Sequence, residues 1–256
     1  SNQLPNFGWE YVWHCHILGH EEMDMMRPIQ LNVSRALPDA PVLSSPGGTG
    51  VLVNLSWTDG TPINYINLNP ASWGDPKAEI GYRVERALLD INNQPGAYSE
   101  IGTALANATS FTDNTITPGW NYNYRVTVFN AAGESQSNVL LVKAPIPADP
   151  TGLSAVAVDP YHVNLAWTDN ANNELGYDIM RCTGVGCTNF ARIDGVGANT
   201  AAYNDPTVQP YTTYAYEVVA YNMGGSSAPS NIATVTTPDI PPTTPTSLTA
   251  TAINAN

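Results

Sequence analysis

Five side chains near the start of the chain have types and spacing that suit metal chemistry: His14, Cys15, His16, His20 and Met25. The run Trp9 to His16 carries Tyr, Val and Trp and reads as a strand. Neighbouring side chains on a strand face opposite ways, so Cys15 points one way while His14 and His16 point the other. One strand thereby offers a thiolate to one metal centre and two imidazoles to a second centre behind it, a few covalent bonds away, which suits electron transfer. Residues Ile17 to Met26 hold good helix formers, so a short helical turn is expected to carry His20, with Met25 at its end and a strand over Pro28 to Val33 beyond. Thiolate, imidazole and a weak thioether are the ligand types of a blue-copper centre. Zinc also takes Cys and His but leaves Met25 without a role, and a cysteine in a buried strand is often only a small hydrophobe. Met23 and Met26 read as packing residues.

The pattern His-Cys-His-x-x-x-His with a Met five residues later resembles the C-terminal signature of multicopper oxidases, over residues 7–33. The resemblance implies a type 1 copper on Cys15 and His20 with Met25 axial. It also implies that His14 and His16 each bind one type 3 copper of a trinuclear cluster. Asp24 stands where the family usually has Gly. The implied activity is one-electron oxidation of a small reducing substrate or metal ion, coupled to reduction of dioxygen to water. That activity is expected of a parent protein rather than of this stretch: the family's other histidine ligands lie upstream, and residues 1–36 supply too few strands of a cupredoxin sandwich to bury a core.

The remainder must position whatever chemistry there is. The 256 residues suffice for about two domains. Hydrophobic residues make up 43% and charged ones only 12%, well under the roughly 25% of an average globular chain. With Gly 20 and Pro 21, this is the composition of a turn-rich, all-β exported protein, and a secreted, cell-surface or periplasmic location is expected. The net charge of -13 argues against nucleic acid, which needs clustered Lys and Arg, and against docking on an anionic membrane. No stretch approaches the ~20 apolar residues of a membrane span. The sequence opens on Ser1 and closes on Asn256 in mid-pattern, so it reads as cut from a longer polypeptide.

Internal repeats appear when the aromatic residues are aligned. Val53-Asn54-Leu55-Ser56-Trp57-Thr58-Asp59 recurs as Val163-Asn164-Leu165-Ala166-Trp167-Thr168-Asp169, and Glu79-Ile80-Gly81-Tyr82 as Glu174-Leu175-Gly176-Tyr177. Arg86 and Arg181 follow those tyrosines at equal distance. Tyr122, Tyr124, Val126 and Val128 alternate with polar residues, as do Tyr214, Tyr216, Val218 and Ala220, and each run ends in a Gly-containing turn. Strict alternation reads as strands with one buried face, and about seven of them per ~100 residues read as an antiparallel sandwich. The pattern resembles the fibronectin type III module, with Trp57 and Trp167 as core plugs and Tyr122 and Tyr214 as tyrosine corners.

The expected organisation is therefore a partial cupredoxin segment over 1–36, sandwich modules over 37–144 and 145–239, and a linker with the first strand of a third module over 240–256. The first module carries an inserted loop at about 60–79 containing Tyr65 and Trp73, either a ligand loop or one packed on its own module. Cys182 and Cys187 flank a Gly-containing turn that brings them within bridging reach, and a disulfide there implies an oxidising compartment. A metal or redox pair is the rival. The modules are expected to serve as spacers or to attach the chain to polysaccharide or a cell surface; read without the copper segment, the chain is a binding or spacer array with no catalysis of its own.

Overall fold

The computed structural model describes residues 10–13, 27–30, 36–48, 50–62 and 75–251. Every regular element in these residues is a β-strand, and no helix among them is long and apolar enough to cross a membrane. The short strands β1 (Glu10–Trp13) and β2 (Arg27–Gln30) pair antiparallel, with Glu10 opposite Gln30 and Trp13 opposite Arg27. They overlap the two strands expected around the metal-ligand run, with Arg27 lying one residue before the second. A cupredoxin sandwich is not shown: two four-residue strands cannot enclose a core, and no further strand pairs with them among the described residues. His14, Cys15, His16, His20 and Met25 all lie outside the described residues, as do Tyr65 and Trp73 of the inserted loop.

The chain divides into two compact units, unit 1 of 1–116 with 121–142 and unit 2 of 117–120 with 143–256. In unit 1, β3 (Leu43–Gly48), β4 (Val53–Trp57), β5 (Gly81–Leu88), β6 (Ser99–Leu105), β7 (Ser110–Asp113), β8 (Tyr122–Asn130), β9 (Gly133–Gln136) and β10 (Leu140–Val142) form two antiparallel sheets. One sheet has the order β3-β4-β7. The other runs β6-β5-β8, with β9 and β10 against opposite ends of β8 as two pieces of one interrupted edge. Unit 2 repeats this with β11 (Thr151–Asp159), β12 (His162–Thr168) and β15 (Ala202–Asp205) in one sheet. β13 (Gly176–Thr183), β14 (Ala191–Gly197), β16 (Thr213–Asn222), β17 (Gly225–Ser226) and β18 (Ala233–Thr236) make the other.

The alternation in the sequence explains which faces are buried. In β12, Val163, Leu165 and Trp167 turn inward while Asn164, Ala166 and Thr168 face solvent. Tyr177 and Ile179 of β13 and Tyr216, Val218 and Ala220 of β16 complete the core of unit 2. Val53, Leu55, Trp57, Tyr82, Val84, Tyr124 and Val126 do the same in unit 1. Each Trp leans on the Tyr of the next strand, Trp57 on Tyr82 at 5.3 Å between ring centres and Trp167 on Tyr177 at 5.5 Å, a tilted geometry that aromatic pairs favour. The backbone N–H of Gln209 donates to Tyr214 Oη at 2.8 Å, the upstream bond of a tyrosine corner. Residues 240–251 form no regular element, and the rest of the stretch where a first strand of a third module is expected lies outside the described residues.

Candidate functional site

The polar groups inside the two units gather into the same clusters. In unit 1, Asp113 ends β7 and is 2% exposed. Its Oδ2 accepts from Arg86 Nη1 at 2.7 Å and from the Tyr124 hydroxyl at 2.8 Å, and its Oδ1 accepts from the hydroxyl and the N–H of Thr115 at 2.7 and 2.9 Å. In unit 2, Asp205 accepts from Arg181 at 2.7 Å, from Tyr216 at 2.8 Å and from Thr207 at 2.7 and 2.9 Å. Each Arg also lies over a second tyrosine, Arg86 over Tyr122 at 4.8 Å and Arg181 over Tyr214 at 5.0 Å, a cation–π contact. Burial alone would raise the two carboxyls. The donors from Thr, Tyr and Arg outweigh it and hold both below the usual carboxylate range. The same burial, then the carboxylate beside it, pushes the Tyr124 and Tyr216 phenols well above their ordinary value. With its proton pinned by the carboxylate, neither tyrosine is arranged to act as an acid or base. The cluster bonds one sheet to the other.

A second pair of clusters sits where β4 leads toward β5 and β12 toward β13. Glu79 Oε1 accepts the Asn107 N–H at 2.7 Å, and Glu174 Oε1 accepts the Asn199 N–H at 2.9 Å. Both asparagines have left-handed backbone, φ 64 and 57, a conformation that Asn tolerates better than most side chains. Asp59 Oδ1 accepts the Thr61 N–H at 2.9 Å, and Asp169 Oδ1 accepts the Ala171 N–H at 3.0 Å. The Tyr177 hydroxyl also donates to Asp169, and burial, then Asp169, then Glu174 raise that phenol above its ordinary value. Burial above all, with Glu79 adding to it, raises the Asp59 carboxyl against the pull of the Thr61 N–H. The two clusters also differ at the second carboxylate oxygen of the Glu. The Thr61 hydroxyl donates to Glu79 Oε2, whereas Glu174 Oε2 is buried with no hydrogen-bond partner. Trp57 Nε1 and Trp167 Nε1 are buried without a partner in both units, so that feature does not separate them.

Cys182 and Cys187 are joined by a disulfide, with Cα atoms 6.0 Å apart. It closes a loop carrying Gly184 and Gly186 in positive-φ conformations and Val185, which is 89% exposed. Among the described residues no group of three or more His, Cys, Asp or Glu is placed to hold a metal. A shallow depression on the outer face of β12 and β15 is lined by Asn164, Ala166, Ala202, Tyr203 and Asn204, where Asn204 donates to Asn164 at 2.7 Å. These are uncharged groups with no nucleophile or paired acid and base.

Sequence reasoning had no role for Asp113, Asp205 or the two Glu residues. The signal was present as Asp-x-Thr at 113–115 and again at 205–207, and as the repeated Glu three residues before each core tyrosine, Glu79 before Tyr82 and Glu174 before Tyr177.

No family model matches the chain. Usherin of Mus musculus is 29% identical over 237 residues, 84% of this chain and 4% of that protein. Nephrin of Homo sapiens is 28% identical over 152 residues, 58% of this chain and 12% of that protein. Exoglucanase B of Cellulomonas fimi is 30% identical over 252 residues, 91% of this chain and 20% of that protein. The chain thus spans a small part of each of these relatives. A solved two-domain fibronectin type III segment from chicken tenascin superposes with a TM-score of 0.46 at 14% identity, covering 78% of this chain and 100% of that one.

These relatives correct the expectation of a multicopper oxidase. The likeness runs to usherin, nephrin, contactin-2 and exoglucanase B, none of them named as a copper oxidase, and the described residues of both units fold as antiparallel β-sandwiches. The reading of the chain as part of a copper oxidase, with dioxygen and a reducing substrate as partners, is not upheld. The short His- and Cys-bearing run weighed heavily in that reading because its ligand spacing is specific, yet it covers a small fraction of a chain whose mass is sandwich.

Proposed function

We propose that the chain is a non-catalytic tandem array of fibronectin type III-like sandwiches that works outside the cytosol as a spacer and attachment segment. The observation that carries this reading is that both units spend the same buried polar groups, Arg86–Asp113–Tyr124 and Arg181–Asp205–Tyr216, on tying sheet to sheet. Groups held in this way stabilise a module, and neither cluster leaves an acid or base free for a substrate among the described residues. The disulfide between Cys182 and Cys187 supports an oxidising compartment. Sandwich folds host many functions, so fold alone does not choose the partner.

The test is to incubate the full chain with insoluble cell-wall polysaccharide and with intact cells, and to measure oxygen uptake with phenolic and metal-ion donors. Sedimentation with one surface and no oxygen uptake is expected; oxygen uptake above a buffer control overturns the reading. Copper coordination by His14, Cys15, His16, His20 and Met25 is a separate proposal that their ligand types support. Copper titration of the chain, followed by the visible thiolate-to-copper absorption, tests it.

A further inference from the structure

Glu174 is 6% exposed, and its Oε2 faces no donor. A buried carboxylate oxygen with nothing opposite it is costly, and proteins answer such a group with a hydrogen bond, a proton or a cation. Unit 1 shows the hydrogen-bond answer in the same place. Thr61 gives its N–H to Asp59 and its hydroxyl to Glu79 Oε2. Ala171 occupies the equivalent position in unit 2, giving its N–H to Asp169 in the same way, and has no hydroxyl to give. At this oxygen the units therefore differ by one missing donor beside two carboxylates.

The loop around this oxygen reads Asp169-Asn170-Ala171-Asn172-Asn173-Glu174. It is rich in side-chain oxygens and has no sulfur or imidazole. Asn170 turns its Nδ2 toward Asp149 O and Thr151 Oγ1, both at 2.9 Å, and Asn173 turns its Nδ2 toward Pro145 O at 2.8 Å. Each spends its Nδ2 donor away from Glu174. In unit 1 the single residue Thr61 bonds both Asp59 and Glu79, and the Ala171 N–H and the Tyr177 hydroxyl hold Asp169 in the equivalent place, so the two carboxylates of unit 2 share one neighbourhood. All-oxygen sites of this kind select hard cations over soft ones.

We propose that this loop of unit 2 binds a divalent cation of the calcium class, with Glu174 and Asp169 as its anionic ligands and amide oxygens and water completing the shell. Two carboxylates place the affinity among the weaker calcium sites, Kd on the order of 10⁻⁴–10⁻³ M, as in extracellular modules. The proposal is independent of the spacer reading and says nothing of the ligand-type residues near the start of the chain.

Terbium is the probe, because Trp167 and Tyr177, with ring centres 5.5 Å apart, lie beside the site and sensitise its emission. The full chain should give terbium emission that calcium displaces. Calcium at about ten times Kd should raise the folding equilibrium of unit 2 about 11-fold relative to EDTA. Glu174→Gln should weaken terbium binding at least tenfold. Ala171→Thr, which installs the donor used in unit 1, should raise the midpoint in EDTA and abolish the calcium response, with circular dichroism confirming the fold of both variants. If terbium emission is the same for the parent, Glu174→Gln and Ala171→Thr, or if Ala171→Thr raises the midpoint equally with and without calcium, the oxygen is met by water or a proton and the proposal fails.

Discussion

Tyr216 Oη donates to Asp205 Oδ2 at 2.8 Å, and through that bond β16 of one sheet holds the last residue of β15 in the other. Arg181 approaches the same oxygen from β13 at 2.7 Å. The Asp205 side chain is fully buried while that of Arg181 is 18% exposed, so the acid depends on its partners more than the base does. Asp205→Asn removes the charge and leaves the guanidinium buried without its anion. Loss of one partner of a buried pair costs about 3–5 kcal/mol, and the partial exposure of Arg181 places the expected loss near 3 kcal/mol. Urea denaturation of the chain checks this. Tyr216→Phe should cost only about 1 kcal/mol, because Arg181 and Thr207 still meet the carboxylate.

The same geometry fixes the direction of the pH dependence. Asp113 and Asp205 are held below the usual carboxylate range in the folded chain, whereas unfolded Asp titrates near ~3.9. The unfolded state therefore binds protons first as pH falls. The contribution is fully present above about pH 5 and is lost progressively as pH drops through ~3.9 toward the depressed folded value. Thermal midpoints between neutral pH and about pH 3 should fall along an acid limb. Asp113→Asn and Asp205→Asn, each lowering the midpoint at neutral pH, should flatten that limb.

Most of the sandwich was legible because alternation is a local property: Val163, Leu165 and Trp167 announce a buried face with no knowledge of their partners. The repeat then doubled the signal. The repeated Asp-x-Thr marked the clamp residues, but alternation along a strand does not say that Asp113 reaches Arg86 and Tyr124 across two sheets. The role of Glu174 was hidden for another reason: it depends on what Ala171 lacks, and a missing hydroxyl appears only beside Thr61 in the other unit. The metal-ligand run misled because five side chains in a tight pattern say which atom types are close in sequence, not what the greater part of the chain is for.

The disulfide between Cys182 and Cys187 closes a short loop, with a sequence separation of 5. The chain-entropy account gives such a loop about 2 kcal/mol, less than the ~3–5 kcal/mol of longer ones. Reduction with dithiothreitol should therefore lower the midpoint of unit 2 by several degrees without unfolding it, and Cys182→Ser should match the reduced parent. An unchanged midpoint under reduction would mean that the bridge constrains only the loop around Val185.

Asn231 closes the seam of unit 2 in a way no backbone strand does. Its Oδ1 accepts the Leu153 N–H at 2.8 Å and its Nδ2 donates to Leu153 O at 2.9 Å, so one amide side chain stands in for a neighbouring strand at an edge residue that is 5% exposed. Asn138 does the same for Leu43 at 2.8 and 3.0 Å. Asn231→Ala leaves both Leu153 backbone groups unmet, at an expected cost of about 2 kcal/mol. Asn231→Asp should cost a similar amount, since a carboxylate accepts from the N–H but has nothing to donate to the carbonyl. Amide hydrogen exchange at Leu153 discriminates the two: protection should vanish in the Ala variant and persist in the Asp variant. Equal exchange in both would show that water, not Asn231, holds that edge.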